Sequence, residues 1–265
     1  LEHTDGNDFT AMEGESLLGF ELNFGLGDNG NLKGVYLISQ DNGSGTWIGM
    51  GEDRMHTLGA EIEFSFDNLG LYGAFGQTNF FDGDDTELDE DNTAMILGAS
   101  YEGDNFSIGG AFGVIDPYYA AEGAWGRIGP WFNPDNFEGF KVNVMFQASE
   151  DVSFYGSYMD IQGHENFGNY ILLSEDDEAQ VLDLGVNFGI NENWNGTLGY
   201  ESLDGTLGGG ADVEINWWNL GFEYMVSDRT TVWLNYLLND GEVRFGELGG
   251  DLGGGILSIQ ATVKF

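Results

Sequence analysis

Residues 256–265 put Leu257, Ile259, Ala261, Val263 and Phe265 on one side of an extended chain, and Ser258, Gln260, Thr262 and Lys264 on the other. A period of two is the period of a β-strand. A strand with one wholly apolar face must bury it under a second layer or turn it toward lipid. The same alternation recurs along the chain. It places Leu18, Phe20, Leu22, Phe24 and Leu26 on one side, then Leu58, Ala60, Ile62, Phe64 and Phe66. Further sets are Phe106 to Val114, Phe140 to Ala148, Leu182 to Ile190 and Trp218 to Val226, each taken at every second residue. Weaker versions lie at 32–40, 69–79, 93–102, 152–162, 194–203 and 230–239. The pattern predicts about 13 strands, each near the ~9–11 residues that a tilted strand needs to cross a bilayer.

The connections alternate between two classes. Tight ones at Asp28-Asn29-Gly30-Asn31, Asp67-Asn68, Gly103-Asp104-Asn105, Glu150-Asp151, Asn191-Glu192-Asn193 and Ser227-Asp228-Arg229 are rich in Asn, Asp and Gly, which suit hairpin turns. Longer ones span 41–55, 80–92, 116–138, 163–178, 204–213 and 240–254. Short turns at one end and long loops at the other is the layout of an outer-membrane barrel, with periplasmic turns and extracellular loops. Phe24, Phe66, Tyr101, Phe106, Phe146, Phe154, Phe188, Trp194, Tyr224 and Phe265 lie near the short turns or the C-terminus, as in an interfacial aromatic girdle.

The expected fold class is therefore all-β, a transmembrane antiparallel β-barrel over 17–265 preceded by a polar N-terminal segment over 1–16. Strand parity favours 14 strands, with 12 and 16 as the neighbouring even counts. The strand before residue 17 is then either squeezed into the extreme N-terminus or absent from the numbered chain.

Composition fits this reading. The net charge is −39 with 7 Lys+Arg against 46 Asp+Glu, which argues against nucleic acid as a partner. The absence of cysteine excludes disulfides and thiolate metal sites. No apolar run approaches the roughly 18 residues of a transmembrane helix. Alternation also lets a membrane barrel hide in a mean hydropathy of −0.23.

Residues 224–236, with the turn Ser227-Asp228-Arg229-Thr230, resemble the penultimate hairpin of Gram-negative general porins. Residues 187–194 and 99–106 resemble other hairpins of that family. The resemblance is one of pattern and spans 17–265. It implies a bacterial outer-membrane location, passive diffusion and, in many members, a homotrimer. It also implies recognition of a C-terminal aromatic by the barrel-assembly machinery, a position that Phe265 matches. The chain departs from the family in its length, weak first strand, acid excess and lack of a Pro-Glu-Phe-Gly-Gly motif.

With apolar residues toward lipid, Glu21, Glu61, Glu63, Asp183, Glu201 and Glu223 share the opposite register with Lys141 and Lys264. Such a lining favours cations. The aromatic loop 116–138 offers Glu122 and Arg127 as constriction residues if it folds inward; packing against a neighbouring subunit is a second reading, and a self-packed surface loop is the bland alternative. Loop 80–92 would take the constriction position if one strand precedes residue 17. Its Asp82, Asp84, Asp85, Glu87 and Asp89 supply oxygens suited to Ca²⁺ but lack the order of a calcium loop, so a solvated charge run is the simpler reading. No other cofactor is expected. An enzyme is not expected either: His3, His56 and His164 are the only histidines, and none shares an inward register with a serine. The expected function is a porin for small hydrophilic solutes and ions with cation preference. The alternatives are an anchor barrel with acidic cation-binding loops, or a barrel that sheathes a partner protein.

Overall fold

The computed structural model describes residues 16–40, 52–82, 87–88, 92–117, 119, 136–164, 177–207, 210–246 and 248–263. The described residues contain strands and no helix. The strands are β1 (Ser16–Gly25), β2 (Gly30–Gln40), β3 (Glu52–Phe66), β4 (Leu69–Asp82), β5 (Glu87–Leu88), β6 (Thr93–Glu102) and β7 (Phe106–Ile115). They continue as β8 (Phe137–Ser149), β9 (Val152–Gly163), β10 (Glu178–Asn191), β11 (Trp194–Leu207), β12 (Ala211–Ser227), β13 (Thr230–Phe245) and β14 (Leu248–Val263). The sheet path follows chain order, β1-β2-β3-β4-β6-β7-β8-β9-β10-β11-β12-β13-β14, with the two-residue β5 pairing off the path onto β4. Thirteen antiparallel strands thus form the path, and the registers of β1 to β4 and of β9 to β14 keep the alternation read from the sequence. Two compact units divide the chain: 1–99 with 112–138, and 100–111 with 139–265.

All six short turns form, and four of them share one device. The turn carbonyl of Asn29 accepts the Ser65 amide, Asn105 that of Gln147, Asp151 that of Gly189, and Asn193 that of Met225, at 2.7–2.9 Å. Each of these four hairpin tips is thereby tied to the next strand, which satisfies backbone groups that a turn otherwise leaves open. Asp67 adopts a left-handed backbone, φ 48°, in the two-residue turn between Phe66 and Leu69. Aspartate tolerates that conformation.

In each unit one face, here face A, carries the apolar set. In the first unit Phe20, Tyr36 and Leu58 are direct neighbours across β1, β2 and β3. In the second unit Phe154, Val186, Leu198, Leu220, Tyr236 and Leu257 form one row across β9 to β14. Face-A side chains are exposed rather than covered, including Leu22 at 61%, Leu198 at 43% and Ile259 at 72%. Near the short turns the aromatics pair on this face. The Trp194 and Tyr224 rings stack at 4.5 Å, and Tyr101 and Phe106 lie 5.6 Å apart.

Two expected long loops are corrected. Residues 204–213 are mostly strand, since β11 runs to Leu207 and β12 starts at Ala211. Residues 240–254 are likewise β13 to Phe245 and β14 from Leu248. The run Gly253-Gly254-Gly255 pairs in register with Asp240, Asn239 and Leu238, so it is strand and not loop. The reason is a change of phase. In β12 the apolar residues fall on Val213, Ile215 and Trp217, then switch to Trp218, Leu220, Phe222 and Tyr224. The same switch occurs at Val181-Leu182 in β10 and Leu237-Leu238 in β13. Beyond it, face A becomes acidic: Asp160, Gln180, Asp204, Glu214, Glu242 and Asp251 form one cross-strand row. The opposite face, face B, becomes apolar there, with Met159, Val181, Leu203 and Ile215 in a row. Above the switch face A is charged and face B apolar; below it the two are exchanged.

Candidate functional site

Face B below the phase switch is the polar surface of each unit, and it holds the acids singled out from sequence. In the second unit Asp183, Glu201 and Trp217 stand side by side on β10, β11 and β12. The next row toward the short turns is Tyr155, Gly185, Gly199, Asn219 and Leu237. A side chain at Gly185 would collide with the Tyr155 ring, so the missing Cβ lets that ring lie flat on the sheet. Apart from Gly185, these residues, with Tyr200 and Asn235, line an open cavity of about 440 Å³. Lys141 lies within electrostatic reach of Asp183. Nearer the turns, Gln147, Asp151, Asn187, Thr197, Glu223 and Trp233 line a second cavity of about 510 Å³, where Thr197 Oγ1 donates to Asn187 Oδ1 at 2.9 Å.

In the first unit, Glu21, Lys33, Glu61 and Glu63 share face B. Lys33 Nζ reaches Glu21 Oε2 at 3.3 Å. Toward the ends of the strands away from the short turns this face is packed: Met55, Thr57, Thr78, Phe80, Ile96 and Phe137 are buried. The start of segment 116–138 joins that packing. Asp116 Oδ2 accepts from the Thr93 backbone amide at 2.8 Å and from Thr93 Oγ1 at 2.6 Å. The Tyr119 amide then closes a turn onto the Asp116 carbonyl at 3.1 Å. The turn lays Tyr119 on Gly76, where an added Cβ would sit 2.5 Å from Tyr119 Oη. The Tyr119 hydroxyl is buried with no hydrogen-bond partner among the described residues. Burial first, and the Glu61 carboxylate second, raise its pKa above the usual tyrosine range.

This seat gives a testable coupling. Gly76→Val is expected to cost about 1–3 kcal/mol through overpacking, read from urea unfolding of the folded protein. Adding Tyr119→Ala should recover most of that loss, because the clash disappears with the ring. A purely additive double mutant would show that the two residues do not touch.

The structure thus brings Asp183 and Glu201 together, with Lys141 nearby, and brings Glu21 to Lys33. Glu223 stands apart, beside Asn195 and Trp233. Tyr119, Gly76, Tyr155, Trp217, Asn219 and Asn235 were not anticipated. For Trp217 a signal existed in the Trp217-Trp218 doublet, whereas the Tyr119–Gly76 seat joins distant segments and leaves no local pattern. Glu122, Arg127, Asp84, Asp85, Asp89 and Phe265 lie outside the described residues, as do the side chains of Asp82 and Glu87. Among the described residues no group of three or more His, Cys, Asp or Glu side chains is placed to hold a metal ion. His56 is on face A, hydrogen-bonded through Nδ1 to Tyr36 Oη at 3.0 Å.

Neither a family model nor a curated protein matches the chain. Among solved structures it is similar to OmpT, an outer membrane protein of Vibrio cholerae, at 11% identity over 94% of this chain and 89% of that one, TM-score 0.48. It is also similar to a bacterial polysaccharide outer membrane secretin, at 11% identity over 95% of this chain and 79% of that one, TM-score 0.49. A third is the NanC porin, at 12% identity over 80% of this chain and 94% of that one, TM-score 0.37.

Proposed function

We propose that the chain is a bacterial outer-membrane β-barrel that forms a water-filled pore for passive diffusion of small hydrophilic solutes and ions, with preference for cations. The observation that carries this reading is the two-faced strand with a phase switch. Face A is apolar and uncovered below the switch and acidic above it; face B is acidic and polar below and apolar above. Lipid outside and water inside account for the lower part, and water outside for the upper part. In β10 the apolar face-A positions run from Leu182 to Ile190. Rising about 3.3 Å per residue at a tilt of ~40°, they cover about 20 Å, close to the ~25 Å apolar band of such barrels.

Closure belongs to the same proposal. Among the described pairings β1 bonds only to β2 and β14 only to β13. An unpaired strand edge in lipid leaves backbone groups that cost several kcal/mol each. A fourteenth strand, which the even strand number of such barrels calls for, belongs to the same proposal. The aromatic pairs near the short turns fit a periplasmic girdle. Assembly through a terminal Phe265 and a trimeric state extend the same reading.

Swelling of vesicles containing the folded protein in isotonic arabinose tests it. Rapid swelling relative to protein-free vesicles is the expected outcome. Folded, inserted protein that gives no swelling would favour a barrel that serves only as an anchor.

A further inference from the structure

The cavity of the second unit has a composition that a simple water-filled wall does not require. Asp183 and Glu201 are direct cross-strand neighbours, on strands about 4.8 Å apart. Two carboxylates carried side by side on neighbouring strands repel, and a cation between them relieves the repulsion. Below them, Asn219 Oδ1 and Asn235 Oδ1 are buried acceptors without a hydrogen-bond partner among the described residues. Leaving a buried acceptor unpaired costs about 1–3 kcal/mol, so both oxygens favour a ligand that brings donors. Tyr155 and Trp217 supply aromatic walls, and Leu237 an apolar patch. The volume of about 440 Å³ falls within the ~300–1,000 Å³ of small-molecule sites. Among the described residues Lys141 is the cation acting on Asp183, and two acids outnumber it.

We infer that this cavity is a subsite for a small organic cation bearing several N–H donors, a guanidinium or primary alkylammonium on a short apolar body. The inference deepens the pore reading and rests on it for the route by which the solute arrives. The carboxylates take the charge, the Asn oxygens accept N–H groups, and the aromatic rings hold the cation by its weakly hydrated face. A strongly hydrated metal ion gains nothing from Tyr155, Trp217 or Leu237. An anion meets two carboxylates.

Calorimetric titration of the detergent-folded protein with butylguanidinium, and separately with donor-free tetramethylammonium, tests the subsite without needing a channel. Butylguanidinium should bind at least about fivefold more tightly, the discrimination arising from its hydrogen bonds. Glu201→Gln and, independently, Asp183→Asn should each weaken butylguanidinium about tenfold through loss of a charged hydrogen-bond acceptor. Asp212→Asn, on face A, should leave binding unchanged. Circular dichroism identifies the variants that retain the sheet. Equal affinity for the two cations, no binding to folded wild type, or equal effects of E201Q and D212N would each overturn the subsite. Vesicle swelling without butylguanidinium binding removes the subsite and leaves the pore. Binding without swelling removes the pore and leaves the subsite.

Discussion

Leu198→Arg is expected to destabilise the bilayer-inserted protein by about 2–4 kcal/mol, the cost of an arginine facing lipid near the midplane. Thr197→Arg, one residue away, is expected to cost about 1 kcal/mol or less, mainly the lost hydrogen bond to Asn187. The asymmetry follows from register. Leu198 sits on face A among Val186, Leu220 and Tyr236. Thr197 sits on face B beside Asn187 and Gly221. Leu198 is already 43% exposed. Were that exposure to water, an arginine there would be nearly neutral, within roughly 0.5 kcal/mol. Reversible urea unfolding from phospholipid vesicles measures both variants. Equal, small costs would mean that face A meets water or protein.

The second large effect concerns charge. Exchanging Glu201 and Glu223 together for lysine replaces two negative wall charges by two positive ones on face B of the second unit. Fixed charge in a narrow, low-dielectric passage concentrates the opposite ion. Cation over anion permeability should therefore fall by on the order of tenfold and cross toward anion preference. The matched control, Asp204→Lys with Glu214→Lys, makes the same charge change on the acidic face-A row above the phase switch. That control should move the ratio by less than about twofold, because charges outside the passage are screened within a Debye length. Equal shifts from both pairs would make net charge, rather than the lining, the origin of selectivity.

Much of this architecture is legible in the sequence, and the exceptions share a physical cause. Strict alternation marks thirteen strands because each meets two different environments, and Asn, Asp and Gly mark the six short turns. The alternation also assigns Glu21, Asp183, Glu201 and Glu223 to one face. What misleads is the inversion of environments along a single strand. Beyond Val181-Leu182, Trp217-Trp218 and Leu237-Leu238 the apolar residues change sides, so the alternation breaks and the acidic continuation reads as loop. The glycines at 249–250 and 253–255 deepen that error, because their pairing with β13 is set by the partner strand rather than by their own propensity. β5 escapes notice because two residues show no period. The seat of Tyr119 on Gly76 and the cavity under Tyr155 and Trp217 depend on tertiary proximity, which no local pattern encodes.

The most direct test of the acid-lined, water-filled pore is a single-channel recording of the purified, folded protein in a planar bilayer under a tenfold KCl gradient. The account predicts stepwise currents with a reversal potential displaced toward the potassium equilibrium potential. Silence from folded, inserted protein at every salt concentration, or a reversal displaced toward chloride, would contradict it.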